Sequence, residues 1–231
     1  MTLLVIALVF GLLPGFAWLA FYLGEETHAE PRRLIAFTFI AGMAFAFFTV
    51  AIENSFTDWA TGIGIPQLSL LSLIGLGVIE ETMKFAAAYF GARKSPAFNE
   101  PMDAMIYMIV AALGFATLEN IGAIANLSQQ GIPLLAAAIE TISLRFVGAT
   151  LLHTLASAIV GYQWALGIVK GKVGEYLVAG IGIAALLHAS FNLLILTFGG
   201  GGYSVVFLMV VGFFVLADFE KLKVEHINLI A

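Results

Sequence analysis

The chain has 231 residues, of which 61% are hydrophobic and only 11% are charged, and its mean hydropathy is +1.02. Soluble domains are about half apolar and about a quarter charged, so this composition excludes a soluble protein and indicates a polytopic membrane protein. The absence of cysteine excludes disulfides, thiolate metal ligands and a cysteine nucleophile. The net charge of −5 is mild, and the ten lysines and arginines form no nucleic-acid-binding patch.

Seven apolar runs are long enough to cross a hydrocarbon core, which takes about 17 to 25 helical residues. They lie near residues 3–23, 34–52, 67–90, 104–125, 146–169, 174–197 and 203–219. The first run lacks a basic start, so we interpret it as a retained helix and not as a signal peptide. The segment 133–145 is too short to cross alone and carries Glu140 and Arg145, which favours an interfacial or re-entrant helix. The predicted fold is all-α: a bundle of about seven spans plus this short helix.

The loops predict the orientation of the bundle. They include ENSFTDWATGIGIPQ, which begins at residue 53, and the flexible GGGG at 199–202. The basic residues of the loops follow spans one, three, five and seven: Arg32, Arg33, Arg93, Lys94, Lys170, Lys172, Lys221 and Lys223. Because basic loops stay on the cytoplasmic side, we predict a multi-pass cell-membrane protein with its N-terminus outside and its C-terminus in the cytoplasm.

A few polar residues remain at membrane depth. They are Glu80, Glu81 and Lys84 on the third span, Glu119 and Asn120 on the fourth, His153 on the fifth, and His188 and Asn192 on the sixth. Ionisable residues in a span cost several kcal/mol by insertion scales, so they normally face the bundle interior and mark function. A rise of about 1.5 Å per residue puts the acidic and imidazole groups roughly 15 to 25 Å from the inner ends of their spans. Their similar depth predicts one shared site.

Helical spacing separates the roles of the residues on the third span. Lys84 follows Glu80 by four residues and Glu81 by three, so its ammonium can reach either carboxylate. The two glutamates point about 100° apart on a helix, so they cannot play the same part. We interpret Arg145 and Glu140 as interfacial residues outside the site, and Asp103 as a cap of the fourth span.

The chemistry of these residue types leaves two routes to hydrolysis open. A carboxylate can act as general base on water, while imidazoles and an amide donate hydrogen bonds to an oxyanion. Two imidazoles and a carboxylate are also a ligand set for zinc, with Glu119, His153 and His188 as the candidates. Buried carboxylates and histidines build proton relays as well, so a proton- or cation-coupled transporter is the alternative, and a non-catalytic membrane scaffold is a third hypothesis.

Four short motifs, in order on consecutive spans, resemble those of one protein family. EETMK (80–84) matches EExxK, FATLE (115–119) matches FxxxE, HASFN (188–192) matches HxxxN, and HTLASAIVG (153–161) supplies the other histidine. With the flanks NEPMDAMIY and GFATLEN, they resemble the PrsW family of intramembrane proteases, within the wider CAAX-protease and bacteriocin-processing superfamily.

The resemblance covers about residues 75–195 and implies a protease. Because no polar segment is long enough for a separate soluble domain, we expect a single transmembrane protease domain over residues 1–231, with a catalytic core at about 67–197. The resemblance also implies membrane-anchored protein substrates, such as anti-sigma factors. The implied catalytic residues are Glu80, Glu81, Glu119, His153, His188 and Asn192, and we expect Lys84 and Asn120 to support them. The CAAX prenyl proteases usually show EExxxR and FxxxH, so cleavage of prenylated peptides is not expected. Whether the site holds zinc, and which glutamate of the pair activates water, stay open at the level of sequence.

Overall fold

The computed structural model describes residues 2–24, 29–127, 133–199 and 202–230, with side chains from residue 3 to residue 222. Within these ranges the chain forms eight α-helices and no strand. They are α1 (Thr2–Leu23), α2 (Arg32–Gly62), α3 (Leu70–Ala92), α4 (Pro101–Leu127), α5 (Leu134–Val147), α6 (Ala149–Val169), α7 (Val173–Phe198) and α8 (Gly202–Ile230). The predicted all-α bundle with one short helix, here α5, is therefore confirmed.

The long helices match the lengths and hydropathy of membrane spans. In the described part of the chain, six helical stretches are long and apolar enough to cross a membrane, one of them Leu134–Val169, which contains α5 and α6. Helix α3 is not among the six because it carries Glu80, Glu81 and Lys84. It packs against α2, α4 and α7 and completes the seven predicted spans. The protein is thus a multi-pass membrane protein.

Helix α4 is the centre of the bundle. Every residue from Met102 to Thr117 is buried, and α4 contacts α1, α2, α3, α5, α6 and α8. A helix that is apolar on all sides is expected in such a core position. Its N-terminus is capped by Asp103, whose Oδ2 accepts hydrogen bonds of 2.7 Å from the backbone N–H groups of Asn99 and Glu100. The capping role predicted for Asp103 is confirmed.

Helix α2 continues past the point where the sequence predicts a loop. It extends to Gly62 and so includes most of the segment that begins at Glu53. The segment contains no glycine or proline before Gly62, and the hydroxyls of Ser55 and Thr61 donate to carbonyls one turn back, at 2.9 and 2.8 Å. Polarity alone therefore does not end a helix, and the prediction of a loop from residue 53 is wrong.

The GGGG segment lies partly outside the described residues. Gly199 follows the end of α7 with a φ of +75°, a backbone conformation that favours glycine, and Gly202 begins α8. Residues 200 and 201 lie outside the described ranges.

Glycines let α2 and α4 approach closely. A Cβ on Gly42 would lie 2.1 Å from the carbonyl oxygen of Ala111, and a Cβ on Gly114 would lie 2.0 Å from that of Phe39. Small residues at such crossings bring helix backbones together inside a membrane. Because α4 carries Glu119 little more than one turn beyond Gly114, this contact also fixes the position of the polar cluster.

Substitution of Gly114 tests this contact. Gly114→Ala forces the backbones of α2 and α4 apart, and overpacking of this kind costs about 1–3 kcal/mol. We expect the midpoint of thermal unfolding in detergent, followed by circular dichroism, to fall by several degrees.

The matched control is Gly122→Ala on the same helix, where nothing lies within 4 Å of the added Cβ. Alanine is the better helix former, so this variant should equal or exceed the wild type. Equal midpoints for the two variants would contradict the close approach of α2 and α4.

Candidate active site

Four helices bring their buried or half-buried polar residues to one place. Helix α3 contributes Glu80, Glu81 and Lys84, α4 contributes Glu119, α6 contributes His153 and α7 contributes His188. Direct contacts of 2.7 to 3.9 Å link these six side chains into a single cluster. The residues that depth counting places at one level of the membrane therefore meet in one polar cluster.

The ammonium of Lys84 is at the centre of the cluster. Lys84 is fully buried, and its Nζ lies 3.0 Å from Glu80 Oε2, 2.7 Å from Glu81 Oε1 and 2.7 Å from His153 Nδ1. The ring of Phe115 covers the ammonium, with 4.8 Å between Nζ and the ring centroid. The lysine thus binds both carboxylates at once, and its three N–H groups match three acceptors.

These contacts determine the tautomer of His153. An ammonium only donates hydrogen bonds, so His153 Nδ1 must accept from Lys84. A neutral His153 therefore carries its proton on Nε2 and donates it to Glu119 Oε2, 2.8 Å away. Glu119 lies behind His153, at the nitrogen that faces away from Lys84.

The two glutamates of α3 occupy different environments. Glu81 is fully buried, and both of its oxygens are bound, Oε1 by Lys84 and Oε2 by the Ser157 hydroxyl at 2.7 Å. Glu80 keeps 9% of its surface exposed, and its Oε1 faces His188 Nε2 at 3.6 Å, which is too long for a hydrogen bond. The prediction that the two glutamates differ in role has a geometric basis, since Glu81 is held rigidly and Glu80 is freer.

The residues of α7 have unused polar groups. His188 is 4% exposed, and its Nδ1 is buried without a hydrogen-bond partner among the described residues. Its ring stands edge-on to that of His153, with 5.3 Å between the centroids. Asn192 lies one turn further along α7 and is half-buried. A buried polar atom without a partner is uncommon and is consistent with a ligand position.

Four side chains offer a set of metal ligands. One oxygen or ring nitrogen from each of four residues lies within 4.8 Å of the other three: Glu80, Glu81, His153 and His188. Imidazole nitrogens and carboxylate oxygens are ligands that zinc takes in proteins, and the unpartnered His188 Nδ1 is one such nitrogen. The Lys84 ammonium contacts three of the four residues, so a metal ion can enter only if the lysine withdraws. With that movement, the donor set fits a divalent ion. Glu119, which the sequence offered as a ligand, contacts His153 and is not in this group.

Sequence reasoning missed two residues that touch the cluster. Ser157, which binds Glu81, is four residues after His153, so helical spacing could have identified it. Arg145 was interpreted as interfacial, yet its guanidinium donates to Glu119 Oε2 at 3.1 Å and to Asn120 Oδ1 at 2.5 Å. Its position depends on how α5 packs on α4, which no local pattern encodes.

Glu53 is a third residue that the sequence placed outside the site. It lies in the part of α2 that was predicted to be a loop. There the carboxyl group of Glu53 interacts electrostatically with four residues of the cluster: Glu80, Glu119, Lys84 and His188.

The fold and the cluster define a class: a polytopic helical membrane protein with a buried acid–base site, as intramembrane hydrolases have. The family model described as PrsW family intramembrane metalloprotease matches residues 30–217. The chain belongs to this family and is an intramembrane protease.

Three relatives support the assignment. The chain is 31% identical over 197 residues to the protease PrsW of Geobacillus kaustophilus, covering 84% of this chain and 81% of the relative. It is 28% identical to that of Halalkalibacterium halodurans (79% and 80% covered) and 26% identical to that of Bacillus subtilis (87% of each). No solved structure matches the chain. Family membership favours the protease over the transporter hypothesis.

Substitution of Ser157 tests how firmly Glu81 must be held. Ser157→Ala removes one of the two hydrogen bonds that orient Glu81, and the loss of such supporting bonds typically costs about 10- to 100-fold in activity. We expect a fall of this size in the initial rate of cleavage of a single-span peptide, together with a lower thermal midpoint, because a fully buried carboxylate loses one of its hydrogen bonds.

The control is Ser190→Ala on α7, whose hydroxyl only donates to the Leu186 carbonyl of its own helix. It should cleave at the wild-type rate. A wild-type rate for Ser157→Ala as well would mean that the Glu81 contact is dispensable.

Proposed function

We propose that this protein hydrolyses peptide bonds of membrane-anchored proteins of the anti-sigma-factor kind, using water activated at the Glu/His cluster. The observation that carries the proposal is the convergence of carboxylates and imidazoles from α3, α6 and α7, with one donor atom from each of four residues within 4.8 Å of the others. Peptide hydrolysis needs a base for water and donors for the oxyanion, and this cluster contains both types of group.

In the proposed reaction, Glu80 is the base that takes the proton of the attacking water. Its Oε1 is not engaged in a hydrogen bond with His188, and Glu80 is the more exposed member of the pair. Glu81 has no free oxygen, since Lys84 and Ser157 bind both. Glu81 and Lys84 therefore hold the site in place, and Glu80 is available for proton transfer.

A donor for the oxyanion comes from α7, where Asn192 can serve beside His188. His188 and Asn192 are separated by one helical turn, so both side chains project from the same face. Among the described residues, the amide of Asn192 makes no side-chain hydrogen bond, which leaves its N–H groups available for a substrate carbonyl. Once it has taken the proton of the attacking water, Glu80 is positioned to pass that proton on to the leaving amine.

We further propose that the metal of this family is zinc in this protein, and that His153, His188 and Glu81 would hold it, so that Glu80 stays free to act as the base. The chemistry that zinc supplies there is to make a water molecule more acidic and to polarise the scissile carbonyl. Glu119 then has the role of a supporting carboxylate. It accepts the proton of His153 Nε2 and so presents Nδ1 to the cluster, as histidine ligands commonly require.

The proposed orientation places the N-terminus outside and the C-terminus in the cytoplasm of the cell. Its support is the distribution of basic residues, because Arg32 and Arg33 begin α2, Arg93 follows α3, and Lys170 and Lys172 lie between α6 and α7. All of these lie at the same end of a bundle of alternating spans.

Substitution of Glu80 tests its role as the base. Glu80→Gln keeps the shape of the side chain but cannot take a proton, and general-base catalysis contributes about 10²- to 10⁴-fold. We expect kcat for a single-span peptide in liposomes to fall by that factor while the peptide still binds.

The control is Glu175→Gln. Glu175 is an exposed residue in the first turn of α7 and forms an ion pair with Lys172, which precedes the helix. This substitution should leave kcat unchanged. Cleavage at the wild-type rate by both Glu80→Gln and Glu81→Gln would overturn the proposed mechanism. Normal binding without cleavage by the wild type, under every metal condition tried, would favour a scaffold.

Metal analysis tests the proposed cofactor. We expect purified wild type to carry stoichiometric zinc, and His188→Ala to lose it because a nitrogen ligand is removed. The matched control Ser190→Ala, on the same helix, should retain the metal. Full activity after thorough chelation would instead favour glutamate-activated water without a metal.

A further inference from the structure

The guanidinium of Arg145 joins the short helix α5 to the catalytic cluster. Arg145 lies in the last turn of α5. Its Nη2 donates to Glu119 Oε2 at 3.1 Å and its Nε donates to Asn120 Oδ1 at 2.5 Å. The planar fork of an arginine suits two acceptors on adjacent residues, which a lysine cannot bind in the same way.

Asn120 makes this contact rigid. It is fully buried, and its Nδ2 donates to Thr150 Oγ1 in the first turn of α6, at 3.1 Å. The amide is therefore bound by Arg145 of α5 on one side and by Thr150 of α6 on the other. The helical conformation is interrupted at Gly148, between α5 and α6. The two hydrogen bonds of Asn120 therefore fix the position of α5 relative to α6.

The last turn of α5 is also anchored to α1. The indole N–H of Trp18 donates to the carbonyl of Phe146 at 3.0 Å, and the two rings stack with 5.3 Å between their centroids. Phe146 is the residue next to Arg145, so the backbone that carries the arginine is fixed on a second side. The guanidinium is consequently held against α4 by its surroundings and by its own hydrogen bonds.

Glu119 transmits the effect of Arg145 to the cluster. Its Oε2 accepts from both Arg145 and His153 Nε2, and His153 Nδ1 in turn contacts Lys84. The side chain of Glu119 is 33% exposed, so without a second partner it would be free to turn towards solvent. Arg145 is also the second cation of a cluster that has three carboxylates and one lysine.

We propose that Arg145 is a positioning residue for catalysis, which sets Glu119 against His153 and so fixes the imidazole that faces the reacting centre. This inference rests on the proposed function, because it requires Glu119 and His153 to belong to the active site. Arg145 itself touches neither Glu80 nor His188 in the described part of the chain, and it acts through Glu119.

Kinetics of Arg145 variants test the inference. With a single-span peptide that the wild type cleaves in liposomes, Arg145→Gln should lower kcat by about 10- to 100-fold, the usual effect of losing a supporting partner, with KM little changed. Arg145→Lys should lose less of its kcat, since it keeps the charge but not the planar fork of the guanidinium.

Added guanidinium ion should restore part of the activity of Arg145→Ala. The matched control is Glu140→Gln, an exposed residue of the same helix, which should retain the wild-type kcat.

A double-mutant cycle with Glu119→Gln identifies the route of the effect. If Arg145 acts through Glu119, the loss caused by Arg145→Gln is smaller in the Glu119→Gln background than in the wild type. Independent, multiplying losses would overturn the inference, as would wild-type kcat in Arg145→Gln. If Arg145→Gln does not fold, wild-type kcat in Arg145→Lys together with no rescue of Arg145→Ala overturns it. Full activity of Glu119→Gln would also overturn the inference, because Arg145 is argued to act through Glu119. The proposed function fails on a different result, wild-type cleavage by both Glu80→Gln and Glu81→Gln, whereas an inactive Glu80→Gln beside a fully active Arg145→Gln overturns only the role of Arg145.

Discussion

The buried ammonium of Lys84 is the interaction on which the polar cluster depends. A charge removed from water costs several kcal/mol unless it is paired and hydrogen-bonded. Lys84 meets that condition because each of its three N–H groups has an acceptor, two on α3 and one on α6. The same contacts offset part of the negative charge of Glu80 and Glu81, which an apolar bundle could not otherwise bury. The lysine also lies among the residues that would bind a metal, so its charge and a metal ion compete for one place.

The central helix α4 determines where this cluster is formed. Its first sixteen buried residues are almost wholly apolar and pack on six other helices. Glu119 and Asn120 follow this stretch, where α4 meets α5 and the start of α6. The close approach at Gly42 and Gly114 fixes α4 against α2. The site therefore lies where the tightly packed core ends, and its partly exposed edge is formed by Glu119 and Arg145.

The asymmetry of Glu80 and Glu81 follows from their adjacent positions on α3. Residues one apart on a helix point about 100° apart, so only one of them can face Ser157 of α6. That residue, Glu81, is bound on both oxygens and is buried completely. The other, Glu80, faces His188 across a gap of 3.6 Å. One glutamate is thereby held on both oxygens, and the other has one oxygen that makes no hydrogen bond of normal length.

The sequence by itself determined the features that depend on local spacing and hydropathy. These are the helical spans, the short helix at 133–145, the reach of Lys84 to both glutamates, and the common depth of Glu119, His153 and His188. Each follows from the rise and period of a single helix. The continuation of α2 to Gly62 was the local feature misjudged, because polar residues were taken for a helix end.

Only the tertiary structure decided which faces of different helices meet. The rotation of each helix about its axis brought Ser157 to Glu81 and Arg145 to Glu119, and it placed Glu80 and Glu81 in unlike surroundings. These contacts join residues 26 to 76 positions apart. They are fixed by packing between helices, such as the close backbone approach at Gly42 and Gly114. Packing of this kind produces no periodic pattern in the amino-acid sequence.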